Sequence, residues 1–72
     1  MPHIDIKMFP GRSDDMKKAA AEMIIEAASD ALGTPKEAFS VAITDIEKDA
    51  WNETVADKID ENTLYAGKIF KL

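Results

Sequence analysis

Met1-Pro2-His3-Ile4-Asp5-Ile6-Lys7-Met8-Phe9-Pro10-Gly11-Arg12-Ser13-Asp14-Asp15 opens the chain and decides its fold. Ile4, Ile6 and Met8 alternate with His3, Asp5 and Lys7, the period-two pattern of a half-buried strand over residues 3–9. Pro10-Gly11 ends it, because a fixed φ followed by a freely rotating residue marks a turn. Ser13 then offers a side-chain oxygen to the unpaired N–H groups of a helix, and Asp14 and Asp15 put negative charge at the positive end of its dipole.

The helix predicted from this start runs to about Leu32. Met16, Ala19, Ala20, Met23, Ile24, Ala27, Ala28, Ala31 and Leu32 recur at spacings of three and four as an apolar stripe, while Lys17, Lys18, Glu22, Glu26 and Asp30 fill the opposite face. Gly33 is placed to cap the C-terminus, with Pro35 two residues on. Residues 39–46 form a second strand, in which Phe39, Val41 and Ile43 alternate with Ser40, Ala42 and Thr44. Strand, helix and strand make one βαβ unit, whose crossover is right-handed and whose strands are parallel. The tail reads less clearly: Trp51 follows the charged stretch Glu47-Lys48-Asp49, Val55 and Ile59 share one side of a short helix, and residues 62–67 form an extended arm with a turn.

At 72 residues the chain is a single domain, residues 1–72, too small for one core to stabilise comfortably. It has no cysteine and one histidine, so disulfides and thiolate metal sites are excluded. One helix covers only one face of a two-stranded sheet, and the C-terminal residues Ile69, Phe70 and Leu72 are apolar. A homo-oligomer is therefore expected, with the other face and the tail covered by a neighbouring subunit. A net charge of −5 argues against nucleic acid as a partner. No apolar run is long enough to span a membrane, and Asp5 and Lys7 interrupt any signal-peptide core, so the expected location is cytoplasmic. The fold class is α/β (α+β): a βαβ unit with parallel strands plus a short C-terminal segment.

Pro2 carries the chemical interest. Proline at position two permits removal of Met1, and its ring nitrogen then becomes a rigid secondary amine able to exchange a proton near neutral pH. While Met1 stays attached, that nitrogen is an amide with no useful basicity. Arg12 precedes the helix N-terminus, where a guanidinium and free N–H groups together suit a carboxylate. Pro2 and Arg12 stand at opposite ends of the first strand, about 20 Å apart at ~3.3 Å per residue, so they meet only across a subunit interface. Trp51 reads as a pocket wall or as a core residue, and Tyr65 as a hydrogen-bond donor or a packing residue. His3 reads as a structural hydrogen-bonder, Lys7 as a surface charge, and Asp14 and Asp15 as helix-dipole partners. No phosphate-binding glycine loop, dinucleotide motif or nucleophile–base triad is present.

Met1-Pro2, the alternating strand, Gly11-Arg12-Ser13-Asp14, one amphipathic helix and closure on Val41-Ala42-Ile43 together resemble the 4-oxalocrotonate tautomerase family. Pro2-His3-Ile4-Asp5-Ile6-Lys7 and the Trp51 region look most like its small YdcE/PptA-type branch. The resemblance covers residues 2–51 well and the Leu64-Tyr65 arm more loosely. It implies a cofactor-independent enzyme without metal, acting on a small-molecule carboxylate. Processed Pro2 would be general base and acid, Arg12 would bind the substrate carboxylate from a neighbouring subunit, and Trp51 would supply an apolar wall. The family's diacid-specific members carry a second arginine that falls at Ser40 here, where a hydroxyl gives a hydrogen bond at most. That favours monocarboxylates such as the enol of phenylpyruvate. The implied assembly is a dimer with a four-stranded sheet, or a hexamer of three such dimers. The competing expectations are a decarboxylase or hydratase of unsaturated acids on the same scaffold, helped by Asp45 or Glu47, and a non-catalytic interaction protein.

Overall fold

The computed structural model describes all residues, 1–72. Strand β1 (His3–Met8) leads into helix α1 (Asp14–Leu32), strand β2 (Ser40–Asp45) and a short helix α2 (Trp51–Thr54). Single 3₁₀ turns at Lys36–Ala38, Lys48–Ala50, Ala56–Lys58 and Glu61–Thr63 complete the chain. β1 and β2 pair in parallel, with His3 opposite Ser40, Ile6 opposite Ile43 and Met8 opposite Asp45. The βαβ unit is thus as the hydrophobic pattern predicts, with β1 one residue shorter at its C-terminal end and β2 one residue shorter at each end.

The helix begins and ends where the sequence places its caps. Ser13 Oγ accepts the Met16 N–H at 3.2 Å, and Asp14 and Asp15 occupy the first turn. Gly33 takes the left-handed conformation (φ 65°) that a side chain would resist, and its N–H closes on the Ser29 carbonyl. Gly11 also has a positive φ, 128°, in the turn that carries Arg12.

Which face of α1 turns inward differs from the sequence reading. Ala20, Ile24 and Ala28 are half-buried as expected, together with Ala21 and Ile25. Met16, Met23 and Leu32 are 57%, 72% and 63% exposed, and Ala19, Ala27 and Ala31 are exposed with them. The inward face is shifted by about one residue onto the apolar Ala21 and Ile25, and Lys17, assigned to the solvent face, lies at its edge. Its ammonium donates to Asp45 at 2.9 Å, tying the first turn of α1 to the end of β2. Lys18, Glu22 and Glu26 make no ion pair along the helix; Glu26 pairs with Lys36 beyond its end.

The tail also departs from expectation. Its apolar C-terminus lies on this chain, with Phe70 against Trp51 and Phe9, and the Leu72 N–H and carbonyl bonded to Asn52 at 2.9 Å each. The helix expected around Val55 and Ile59 is broken into α2 and two 3₁₀ turns, and Gly67 forms the bend of the arm.

Only Val55 and Ala56 are buried. The chain exposes 5576 Å², against about 4,400 Å² for a compact monomer of its mass. Its radius of gyration is 13.5 Å, against about 11 Å for a compact domain of this length. The surplus exceeds the ~800 Å² that each partner gives to a standard interface, and the exposed Met16-Ala19-Met23-Ala27 face is the apolar surface suited to a second copy. Met23→Lys is accordingly expected to lower the mass seen by sedimentation equilibrium toward the 7.9 kDa of one chain; an unchanged mass would remove this face from the interface.

Candidate active site

Parallel pairing sorts the predicted site residues into two groups at opposite ends of the sheet. At the end where both strands begin, the Pro2 carbonyl accepts the Ser40 N–H at 3.2 Å. Ser40 Oγ lies 2.6 Å from Nδ1 of His3, its register partner. Pro2 is half-buried, while His3 and Ser40 are exposed. Pro2 and Ser40 are therefore neighbours, and the hydroxyl expected to meet substrate is engaged by a histidine. His3 has the structural hydrogen bond the sequence predicts, but its partner could not be read from spacing, because it stands 37 residues away.

At the other end, Phe9 follows β1 and forms an edge-to-face cluster with Trp51 and Phe70. The ring centroids are 5.0 Å apart for Phe9–Trp51, 6.0 Å for Phe9–Phe70 and 6.3 Å for Trp51–Phe70. Such pairs contribute about 0.5–1.5 kcal/mol each beyond their burial. The Trp51 indole N–H donates to the Phe70 carbonyl at 2.8 Å, which fixes the ring, and Lys48 lies 5.9 Å from the centre of Phe9. Arg12 is exposed in the adjoining loop, three residues past Phe9. Sequence reasoning did not single out Phe9 as a site residue; its only signal was an aromatic at the mouth of the Pro10-Gly11 turn.

Trp51 also lines a cleft of about 360 Å³ between the tail and the outer face of β1, with Val55, Leu64, Phe70, Asp5 and Lys7 among its walls. Pro2, Arg12 and Ser40 do not line it. No three His, Asp or Glu side chains gather into a metal-ligand set, and no helix is long and apolar enough to cross a membrane.

The comparisons with known proteins agree with this architecture. The Tautomerase family model, described as tautomerase enzyme, matches residues 2–71. The chain belongs to the 4-oxalocrotonate tautomerase family. Tautomerase PptA of Klebsiella pneumoniae is 46% identical over 52 residues, which cover 71% of this chain and 69% of that protein. The 2-hydroxymuconate tautomerase of Comamonas testosteroni is 39% identical over 51 residues, covering 71% and 81%. Among solved structures, TomN, a 4-oxalocrotonate tautomerase homologue of the tomaymycin biosynthetic pathway, superposes with a TM-score of 0.66 at 34% identity, covering 69% of this chain and 77% of its own. The chain is thus an enzyme of the isomerase class, a tautomerase with the βαβ fold of its family, which sets aside the non-catalytic reading.

On the outer face of β1, the Lys7 ammonium donates to the Asp5 carboxylate at 2.7 Å. That hydrogen bond holds the Asp5 carboxyl below its ordinary 3.8; loss of hydration opposes it, and the charges of Lys7 and His3 add to it. A carboxyl depressed on folding stabilises the fold above its unfolded value and loses that contribution as pH falls through the folded one. An NMR titration is expected to place the Asp5 midpoint below 3.8, and Lys7→Met to return it toward that value; a midpoint insensitive to Lys7→Met would refute the pairing in solution.

Proposed function

We propose that, once Met1 is removed, the secondary amine of Pro2 is the general base and acid of a cofactor-independent keto–enol tautomerase. The amine takes a proton from the enol hydroxyl or from a carbon next to the carbonyl, and returns it elsewhere on the conjugated system. The substrates are enol-pyruvate or 2-hydroxydienoate acids, for which the name of the Comamonas relative offers a precedent. With Ser40 in place of a cation, the preferred substrate carries one carboxylate, as in the enol of phenylpyruvate.

The observation that carries this reading is the division of candidate residues between the two ends of one sheet. Pro2 and Ser40 hold one end; Arg12, Phe9 and Trp51 hold the other. Neither end alone has both a base and a carboxylate receptor. A two-fold axis that sets the sheets of two chains antiparallel, in one four-stranded sheet, brings the first end of each against the second end of its partner. Two equivalent sites result, each with Pro2 from one subunit and Arg12 from the other. Arg12 grips the carboxylate in bidentate fashion. The aromatic wall around Trp51 excludes water and, by desolvation, favours the neutral, basic form of the Pro2 amine. The same dimer completes a core that a single chain leaves open, and it forms one domain, residues 1–72, in each subunit. A hexamer would stack three such dimers.

Decarboxylation or hydration would need a carboxylate free to activate water. Asp45, the candidate on β2, is held instead by Lys17 at 2.9 Å, which favours simple proton transfer.

Ketonisation of phenylenolpyruvate by protein verified by intact mass to lack Met1 tests the reading. Retention of Met1 is expected to lower kcat/KM by about 10²–10⁴, the usual contribution of a general base, and Pro2→Ala to remove most of the activity without unfolding the protein. Arg12→Ala is expected to raise KM by about 10–100-fold, the loss of a charged hydrogen-bonded contact. Full activity with Met1 attached would refute the amine mechanism, and an unchanged KM would remove Arg12 from the site.

A further inference from the structure

We propose that the cleft between the C-terminal tail and the outer face of β1 is a second small-molecule site, which takes an amphiphile with an apolar chain and one carboxylate, of the medium-chain fatty acid type. The inference goes beyond the assignment of Pro2 and Arg12 and does not depend on it, since neither residue lines the cleft. The cleft holds about 360 Å³, within the range of ~300–1,000 Å³ typical of small-molecule pockets. One chain builds all of it, on the side of the sheet away from the exposed Met16-Met23 face of α1.

Its walls divide as ligand pockets do, into an apolar body and a few placed charges. Trp51, Val55, Ile59, Leu64, Ile69 and Phe70 make the apolar part. Val55 is buried, whereas Leu64 and Phe70 remain 41% and 56% exposed, so apolar surface is left for a ligand to cover. The tail that carries these residues is fastened on both sides of the cleft. Before it, Thr63 Oγ1 donates to the Asp60 carbonyl at 2.7 Å, and Asp60 Oδ1 accepts the Asn62 N–H at 3.0 Å. After it, the Trp51 indole N–H holds the Phe70 carbonyl, and Asn52 holds Leu72. Walls that stand before binding spare a ligand the cost of ordering them.

Charge selects the class of ligand. The chain has 14 acidic residues against 9 basic ones, yet the ionisable groups of the cleft are Asp5, Lys7 and Lys68, two cations against one anion. Asp5 is paired with Lys7 at 2.7 Å, and Lys68 makes no ion pair. The cleft is therefore cationic in an anionic protein, and its surplus charge is free. One carboxylate meets Lys68 while the chain behind it covers the apolar wall. A second carboxylate on the ligand would lie against hydrocarbon, where an unpaired charge is costly. A cationic amphiphile would set its charge against Lys68.

Trp51 is the only tryptophan in the chain and stands in the wall, so its fluorescence reports occupancy. Processed wild-type protein is titrated with octanoate, octanol and octyltrimethylammonium. Octanoate is expected to change the emission saturably and to bind more tightly than octanol, while octyltrimethylammonium does not bind. From hexanoate to decanoate, affinity is expected to rise about two- to fourfold per methylene. Lys68→Met, which keeps the stem and removes the charge, is expected to weaken octanoate about three- to tenfold and to leave octanol unchanged. Retention of Met1, and Arg12→Ala, are expected to leave octanoate affinity as it is. Loss of octanoate binding in either of those two proteins would put the ligand in the catalytic site and overturn the inference. Octanoate affinity that Lys68→Met does not change would overturn it as well. So would failure of octanoate to bind; a lower assembly mass for Leu64→Glu would then show a second copy of the chain in the cleft. The assignment of Pro2 and Arg12 is judged separately, by ketonisation of phenylenolpyruvate.

Discussion

The parallel pairing of β1 with β2, in the register that sets His3 against Ser40, is the constraint on which the rest depends. It requires a crossover long enough to return the chain to the starting edge, and α1 supplies it. It also requires β2 to begin beside Pro2, which is why the Ser40 N–H reaches the Pro2 carbonyl and the N-terminus is held in place rather than frayed. The same geometry sends the β1–α1 turn, with Arg12, to the opposite end. Separation of Pro2 from Arg12 is thus a direct product of the topology. On the proposed reading, a single subunit carries two halves of different sites.

Charge and aromatic packing then fix details that hydrophobic pattern alone does not. The Lys17–Asp45 pair ties the first turn of α1 to the end of β2, while Met16, Met23 and Leu32 face outward. The Phe9–Trp51–Phe70 cluster fastens the C-terminal tail to the end of β1 and builds an apolar wall next to the loop that carries Arg12. The proposed dimer answers both the open core and the separation of Pro2 from Arg12.

Local chemistry was legible in the sequence. Alternation gave both strands, Ser13 and Gly33 bounded the helix, and Pro2 and Arg12 stood out because a proline amine and a guanidinium before a helix have definite chemical uses. What escaped the reading depends on contacts distant in sequence. Nothing in the helix pattern says that Lys17 finds Asp45 across 28 positions. Phe70 was expected on a neighbouring subunit, because a terminal aromatic has no visible partner until the fold brings Trp51 and Phe9 together. His3 and Ser40 stand 37 positions apart in the sequence, and only the strand register makes them a pair.

The central claim, that each site takes Pro2 and Arg12 from different subunits, is tested most directly by subunit complementation. Pro2→Ala and Arg12→Ala chains are unfolded together, refolded as an equal mixture, and assayed with phenylenolpyruvate well below the wild-type KM, where both parents are nearly inactive. If the site is shared between chains, random assembly restores about one quarter of the wild-type sites, because a site is intact when both of its independent contributors are. Activity no higher than that of the two parent proteins, in a mixture shown by mass to contain hybrid oligomers, would place Pro2 and Arg12 of one chain in one site and contradict the account.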